Sequence, residues 1–345
     1  MAEMTFEEVV ASLAKKKRQM SLLIGNGFSM AYDREIFSYN ALYDFLISKD
    51  DLLLTKLFSV IKTKNFELVM QQLDTTLALL DAFDSEPALK HQLVEAQAKL
   101  KANLLQSIKT LHPDHVFKMP AEKSAACASF LSRFLASGGH IFSTNYDLLL
   151  YWVMMRNSVE NHVDGFGIEV TNFDEVKKGA EPERSDLYWG PNRDEQNVHY
   201  LHGALHLFDA GAVVFKEQYT PDAFLLQNIS ERLNNGEYPI FVTAGNGDEK
   251  LEHIRHNQYL SHCYDSLSKV PGSLVTFGFN FGKYDDHIID AINRAHNTPE
   301  YGKKLLSVYI GVYSEADEAH IQAISGKFKL KVHTFDAKTV NVWGG

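Results

Sequence analysis

Apolar residues follow two rhythms along this chain. Short apolar runs at 22–24, 140–144, 198–201, 273–277 and 305–313 have the form of buried parallel strands. Between them apolar positions fall at helical spacing. Phe6, Val9, Val10 and Leu13 predict a helix over 5–17, with Thr5 and Glu8 as its capping box. Residues 40–108 read almost wholly as helix, with a break near Pro87. Leu42, Phe45 and Leu46 make one stripe there, and Phe66, Val69, Met70 and Leu73 another. Further helices are expected over 121–136 (ended by Gly138-Gly139), 148–155, 251–268, 286–295 and 316–324. Residues 157–197 are rich in Gly, Pro and charge, and predict a surface excursion of loop or β structure. A hairpin fits 205–208 with 212–216, a core strand fits 239–243, and 329–335 closes the chain as a strand.

Alternating strands and helices predict an α/β fold, a doubly wound parallel Rossmann-like sheet. The expected organisation is a single domain over 1–345, with a helical insertion at 40–137 and a loop-rich insertion at 157–197. Of the 345 residues, 45% are hydrophobic, enough for a large core. The net charge of −10 argues against direct nucleic-acid binding, since the protein would repel phosphate backbones. Cys127 and Cys263 are the only cysteines and lack C-x-x-C spacing, which excludes a disulfide framework and a zinc ribbon. No metal is expected. No apolar run reaches the roughly 18 residues of a membrane span, and the first residues are charged and amphipathic, so a cytoplasmic location is expected.

Polar and glycine clusters stand where the strands end, the edge at which parallel sheets bind ligands. The first is Gly25-Asn26-Gly27-Phe28-Ser29. Its glycines permit a sharp turn and close backbone approach, and Ser29 would cap the next helix, whose N-terminus suits phosphate. The others are Thr144-Asn145-Tyr146-Asp147, His202-Gly203, and Gly278-Phe279-Asn280 followed by Asp285 and His287. Taken singly, each has a plain reading as a turn or a helix cap. Gly245-Asn246-Gly247 with Lys250 is a further strand-end cluster, placed at the pocket mouth.

Taken together and in this order, the clusters resemble the sirtuins. That resemblance implies that Gly25 and Gly27 cradle NAD phosphates. It puts Asn145 and Asp147 at the nicotinamide and ribose end, with Thr144 beside them. His202 before Gly203 becomes the base, and Gly278, Phe279 and Asn280 touch the cofactor, with Asp285 nearby. Two departures point away from protein deacylases of this fold: the four zinc cysteines are missing, and no Pro-x-Phe-Arg segment follows the glycine loop. Asn26 and Phe28 replace small residues, and a helical segment containing Asn65-Phe66-Glu67 follows. The pattern is similar to the bacterial sirtuin-like NAD hydrolases of antiphage defence, which arrest or kill the infected cell and can pair with a HerA-like ATPase.

The resemblance implies NAD as substrate, a homo-oligomer, and a HerA-like ATPase as partner. Cleaving the nicotinamide–ribose bond builds positive charge on the ribose, so the site needs a carbonyl or carboxylate near that charge and an oriented water. Asn145 is expected to hold the water or the ribose. His202, with an ordinary histidine pKa near ~6.5, would bind or deprotonate a ribose hydroxyl or the water. Asp147 is expected to orient its loop. The alternatives are a non-catalytic NAD or ADP-ribose sensor and a zinc-less NAD-dependent deacylase. An oxidoreductase fits less well, because the third glycine of the dinucleotide fingerprint is absent.

Overall fold

The computed structural model describes residues 4–344 apart from 38, 50, 65, 84–86, 114, 212, 219–223, 236, 238, 243–245 and 299–301. Asn65, Gly245 and the side chains of Leu42, Phe66 and Glu67 therefore lie outside the described residues.

The described strands run, in chain order, β1 (Met20–Ile24), β2 (Ile141–Ser143), β3 (Phe166–Gly167), β4 (Tyr188–Trp189), β5 (Val198–Tyr200), β6 (Gly203–Asp209), β7 (Val214–Lys216), β8 (Pro239–Phe241), β9 (Gly272–Phe277), β10 (Leu305–Val312) and β11 (Lys331–Asp336). Six of them form a parallel sheet in the order β11-β10-β9-β1-β2-β5. Counted along this sheet alone, that is the doubly wound order 3-2-1-4-5-6. The chain steps outward from β1 through β2 to β5, then returns to β1's other side with β9. With the right-handed crossovers that parallel strands take, such an order puts helices on both faces of a sheet. The central strand β1 is consequently buried along its whole length, Leu22, Leu23 and Ile24 completely.

The remaining strands make a separate antiparallel sheet, β3-β4-β7-β6-β8. This corrects the expected single sheet: the 239–243 strand belongs to the antiparallel sheet and lies at its edge. Pro239 suits that place, because an edge strand tolerates a missing N–H. Parts of the 157–197 excursion, β3 and β4, pair into the same sheet. The expected 251–268 helix is two helices, Gly247–His256 and Gln258–Leu267. Asn257 breaks it, its side-chain oxygen accepting from the Leu260 N–H at 3.0 Å as a new N-cap.

Between β1 and β2 the described residues form helices and their connections, with no strand among them. Leu46, Leu54, Phe58, Val69, Leu73, Ala96, Leu100 and Leu104 form a core of their own there. The helix Ala121–Leu135, by contrast, buries Phe130, Leu131 and Phe134 in the main core beside Phe6. No described helix is long and apolar enough to cross a membrane.

Candidate functional site

The sheet reverses direction between β1 and β9, and at their C-terminal ends the glycine turn and the 278–280 turn meet. Gly278 has φ +67°, and its carbonyl accepts from the Gly27 N–H at 2.9 Å. A Cβ on Gly27 would stand 2.6 Å from the Gly278 Cα, and one on Gly278 only 2.4 Å from the Phe28 nitrogen. These glycines let two backbones touch. The Gly27 amide is thereby spent within the protein and is withdrawn from the expected phosphate cradle.

The helix Asn26–Tyr32 starts immediately after Gly25, which is its N-cap residue. Ser29 is therefore in the second turn and caps nothing, contrary to expectation. At about 100° per residue the helix turns Asn26, Gly27, Met30 and Ala31 toward a cleft of about 830 Å³ and Phe28, Ser29 and Tyr32 into the core. This volume is that of a small-molecule or cofactor site. Thr144, Asn145, Asp147, His202, Gly278, Phe279, Asn280 and Asp285 also line the cleft. Gly25, Phe28, Ser29 and Gly203 do not. Phe28 is wholly buried against Trp343, whose indole N–H donates to the Phe28 carbonyl at 2.9 Å. Gly203 has φ +82° and lies against the β8 backbone, where a Cβ would meet the Ile240 carbonyl.

Ser29 has a different task. Its hydroxyl donates to the buried Asp147 carboxylate and accepts from the Asn145 side-chain nitrogen at 2.8 Å. Because a carboxylate can only accept, the chain of bonds has one direction, and the Asn145 amide nitrogen must face Ser29. Its oxygen is then the atom turned away from Ser29. Asp147 Oδ1 also accepts from the Leu149 N–H at 2.9 Å, so Asp147 ties the strand-end loop to the helix Leu149–Arg156. Burial pushes its pKa up, opposed by the Ser29 and Leu149 hydrogen bonds.

His202 is buried at the cleft wall, and its Nε2 lies 2.9 Å from the Nε2 of buried His287. Burial, then the neighbouring His287 and the Lys250 cation, push the His202 pKa well below the usual histidine range. The expectation of an ordinary pKa is thereby corrected: His202 is neutral at pH 7 and a weak base. His287 is pushed down to about 3 by burial and by Lys250. Lys250 is itself buried, and its ammonium is 3.3 Å from the Asp285 carboxylate, which also accepts from the Gly282 N–H. Asp285 stands at the N-cap position of the helix Asp286–Asn297 but makes no side-chain cap there. Phe281, in the same turn, is held at φ +53° by packing on Phe279 and Phe328.

His287 and Lys250, which the sequence places in separate strand-end clusters, stand together behind His202, and no local pattern signals that convergence. The cleft also takes residues that the sequence does not single out. Exposed Arg34 and Lys338 bring positive charge to the cleft, with Lys338 over the Tyr313 ring at 4.9 Å. Leu104 reaches the cleft from the helical module. Among the described residues no His, Cys, Asp and Glu cluster is arranged to hold a metal ion.

A family model described as a domain of unknown function, DUF4917, matches residues 22–343. The chain belongs to the DUF4917 family. The match runs from inside β1 to Trp343, so this DUF4917 chain's cleft, helical module and antiparallel sheet all fall within it. No curated protein matches the chain.

Proposed function

We propose that the cleft hydrolyses NAD+ to nicotinamide and ADP-ribose, on a sirtuin-like version of the doubly wound fold. The observation that carries the reading is the convergence of Asn145 and His202 with Asn26, Gly27 and the 278–280 turn, at the switch point of the sheet, in one cleft of dinucleotide size. Fold alone would not carry it. In this reading the Asn145 oxygen, oriented through Ser29, holds the attacking water against the anomeric carbon and faces the positive charge that develops there. Water adds to that carbon as the nicotinamide bond breaks, nicotinamide leaves with the bond electrons, and the water's second proton is released. His202 holds the ribose, and Arg34 supplies positive charge for the pyrophosphate. The defence role and the HerA-like partner rest on the motif resemblance alone. A homo-oligomer is supported by exposed Leu52, Val60, Leu79 and Phe83 on the helical module.

The test is incubation of purified protein with NAD+ and chromatography for nicotinamide and ADP-ribose, with and without an added HerA-like ATPase. Stoichiometric release of both, lost in Asn145→Ala, supports the reading. The tie between His202 and His287 favours one second reading, an NAD or ADP-ribose sensor without chemistry, which predicts binding of NAD+ by calorimetry with no nicotinamide released.

A further inference from the structure

His202 lines the cleft, yet one of its two nitrogens is already engaged. Its Nε2 and that of His287 are 2.9 Å apart, the rings 28° from parallel. Both rings are neutral, so a single proton lies between the two nitrogens, and one ring donates while the other accepts. Either choice fixes the remaining nitrogens. A ring that donates from Nε2 has a bare Nδ1, and a ring that accepts there carries its proton on Nδ1.

The buried surroundings of His287 distinguish the two. Its Nδ1 has no hydrogen-bond partner among the described residues and no contact with solvent. Were His287 the acceptor, its only proton would be on that nitrogen, an orphaned buried N–H. Were it the donor, Nδ1 would be a bare lone pair. Orphaned buried N–H groups are the rarer defect in folded proteins. The other groups against the pair leave this choice intact. The Tyr264 hydroxyl donates to the His287 carbonyl, and Asp285 is engaged by Lys250.

We infer that His287 donates from Nε2 to His202 and so makes His202 present an Nδ1–H, not a lone pair, to the cleft. His202 is then a hydrogen-bond donor that recognises an oxygen atom of the ligand, and His287 is the positioning residue behind it. For the ligand's identity the inference rests on the NAD reading, in which that atom is a ribose hydroxyl oxygen; the proton placement stands without it.

Nitrogen-15 spectra of the histidine rings, recorded on full-length protein at pH 7.5 without ligand, test the placement directly. The two rings are assigned by the signals lost in His202→Asn and in His287→Gln. A protonated Nδ1 with a bare Nε2 in His202, and the reverse in His287, is the expected result. A bare Nδ1 in His202 overturns the inference. Should either variant fail to fold, coupling across the hydrogen bond in the wild-type protein identifies the pair. This pair couples Nε2 to Nε2, whereas His140 and His199 meet through Nδ1 and Nε2. In NAD turnover, His287→Leu should lower kcat/KM on the order of tenfold, the effect of one lost hydrogen bond, and His287→Gln, which can donate, should recover most of it. Unchanged turnover in His287→Leu overturns the positioning role. A wild-type protein without turnover, both alone and with the HerA-like ATPase, overturns the NAD reading, and the ring spectra then decide this inference alone.

Discussion

Ser29 is the residue through which the orientation of Asn145 can be tested. Ser29→Ala strips the buried Asp147 carboxylate of one hydrogen bond and frees the Asn145 amide to turn. Stability should fall by about 1–3 kcal/mol in urea denaturation, and kcat for NAD loss should fall more than KM changes. His202→Ala should abolish NAD loss in a protein that still folds; full hydrolysis by that variant would remove His202 from the site. Because His202 is already neutral well below its ordinary pKa, kcat/KM should show no limb near pH 6.5 in the folded range. A titrating limb there would mean that the imidazole is more open to solvent than its burial implies.

At the level of elements, the junction of the two turns is the most constrained. Gly278→Ala forces a side chain into a left-handed position already in contact with the 27–28 backbone, and should cost at least ~2 kcal/mol. Trp343 closes the same region from the far end of the chain, packing on Phe28 at 4.9 Å and Tyr32 at 5.1 Å. Trp343→Ala should cost about 3–5 kcal/mol by thermal or chemical unfolding, although Trp343 is not among the residues lining the cleft. The apolar runs of β1, β2, β9 and β10 and the clusters at their ends were legible in the sequence because a buried parallel strand has few other readings. Phe28 lies outside the cleft, against expectation, because the helix starts at Asn26, three residues before the expected cap, and its turn carries Phe28 inward. The three residues of β8 pair in the antiparallel sheet, and so short a run reads alike in either. The pairing of His202 with His287 spans 85 residues and leaves no local pattern.

Over the whole molecule, buried neutral histidines set the response to acid. His112 is pushed down to about 4 and His287 to about 3 by burial, and His199, His202 and His206 lie well below the ordinary value for the same first cause. Each takes up a proton near pH 6.5 only in the unfolded chain. Their stabilisation is therefore complete above pH 6.5 and is lost as pH falls toward the folded values. Each contributes a slope of about 1.4 kcal/mol per pH unit in that window. The urea midpoint should drop steeply between pH 6.5 and 5, and a midpoint constant over that interval would contradict the burial of these rings. Leu104 belongs to the separate core of the helical module and also to the cleft wall. That module therefore opens with a free energy of its own, and a ligand that needs Leu104 in place must hold it shut. At one hundred times its Kd, such a ligand adds about 2.7 kcal/mol to the opening, so amide exchange along Pro87–Leu111 slows roughly a hundredfold, and amides of the parallel sheet that exchange by global unfolding, which also destroys the cleft, slow by the same factor.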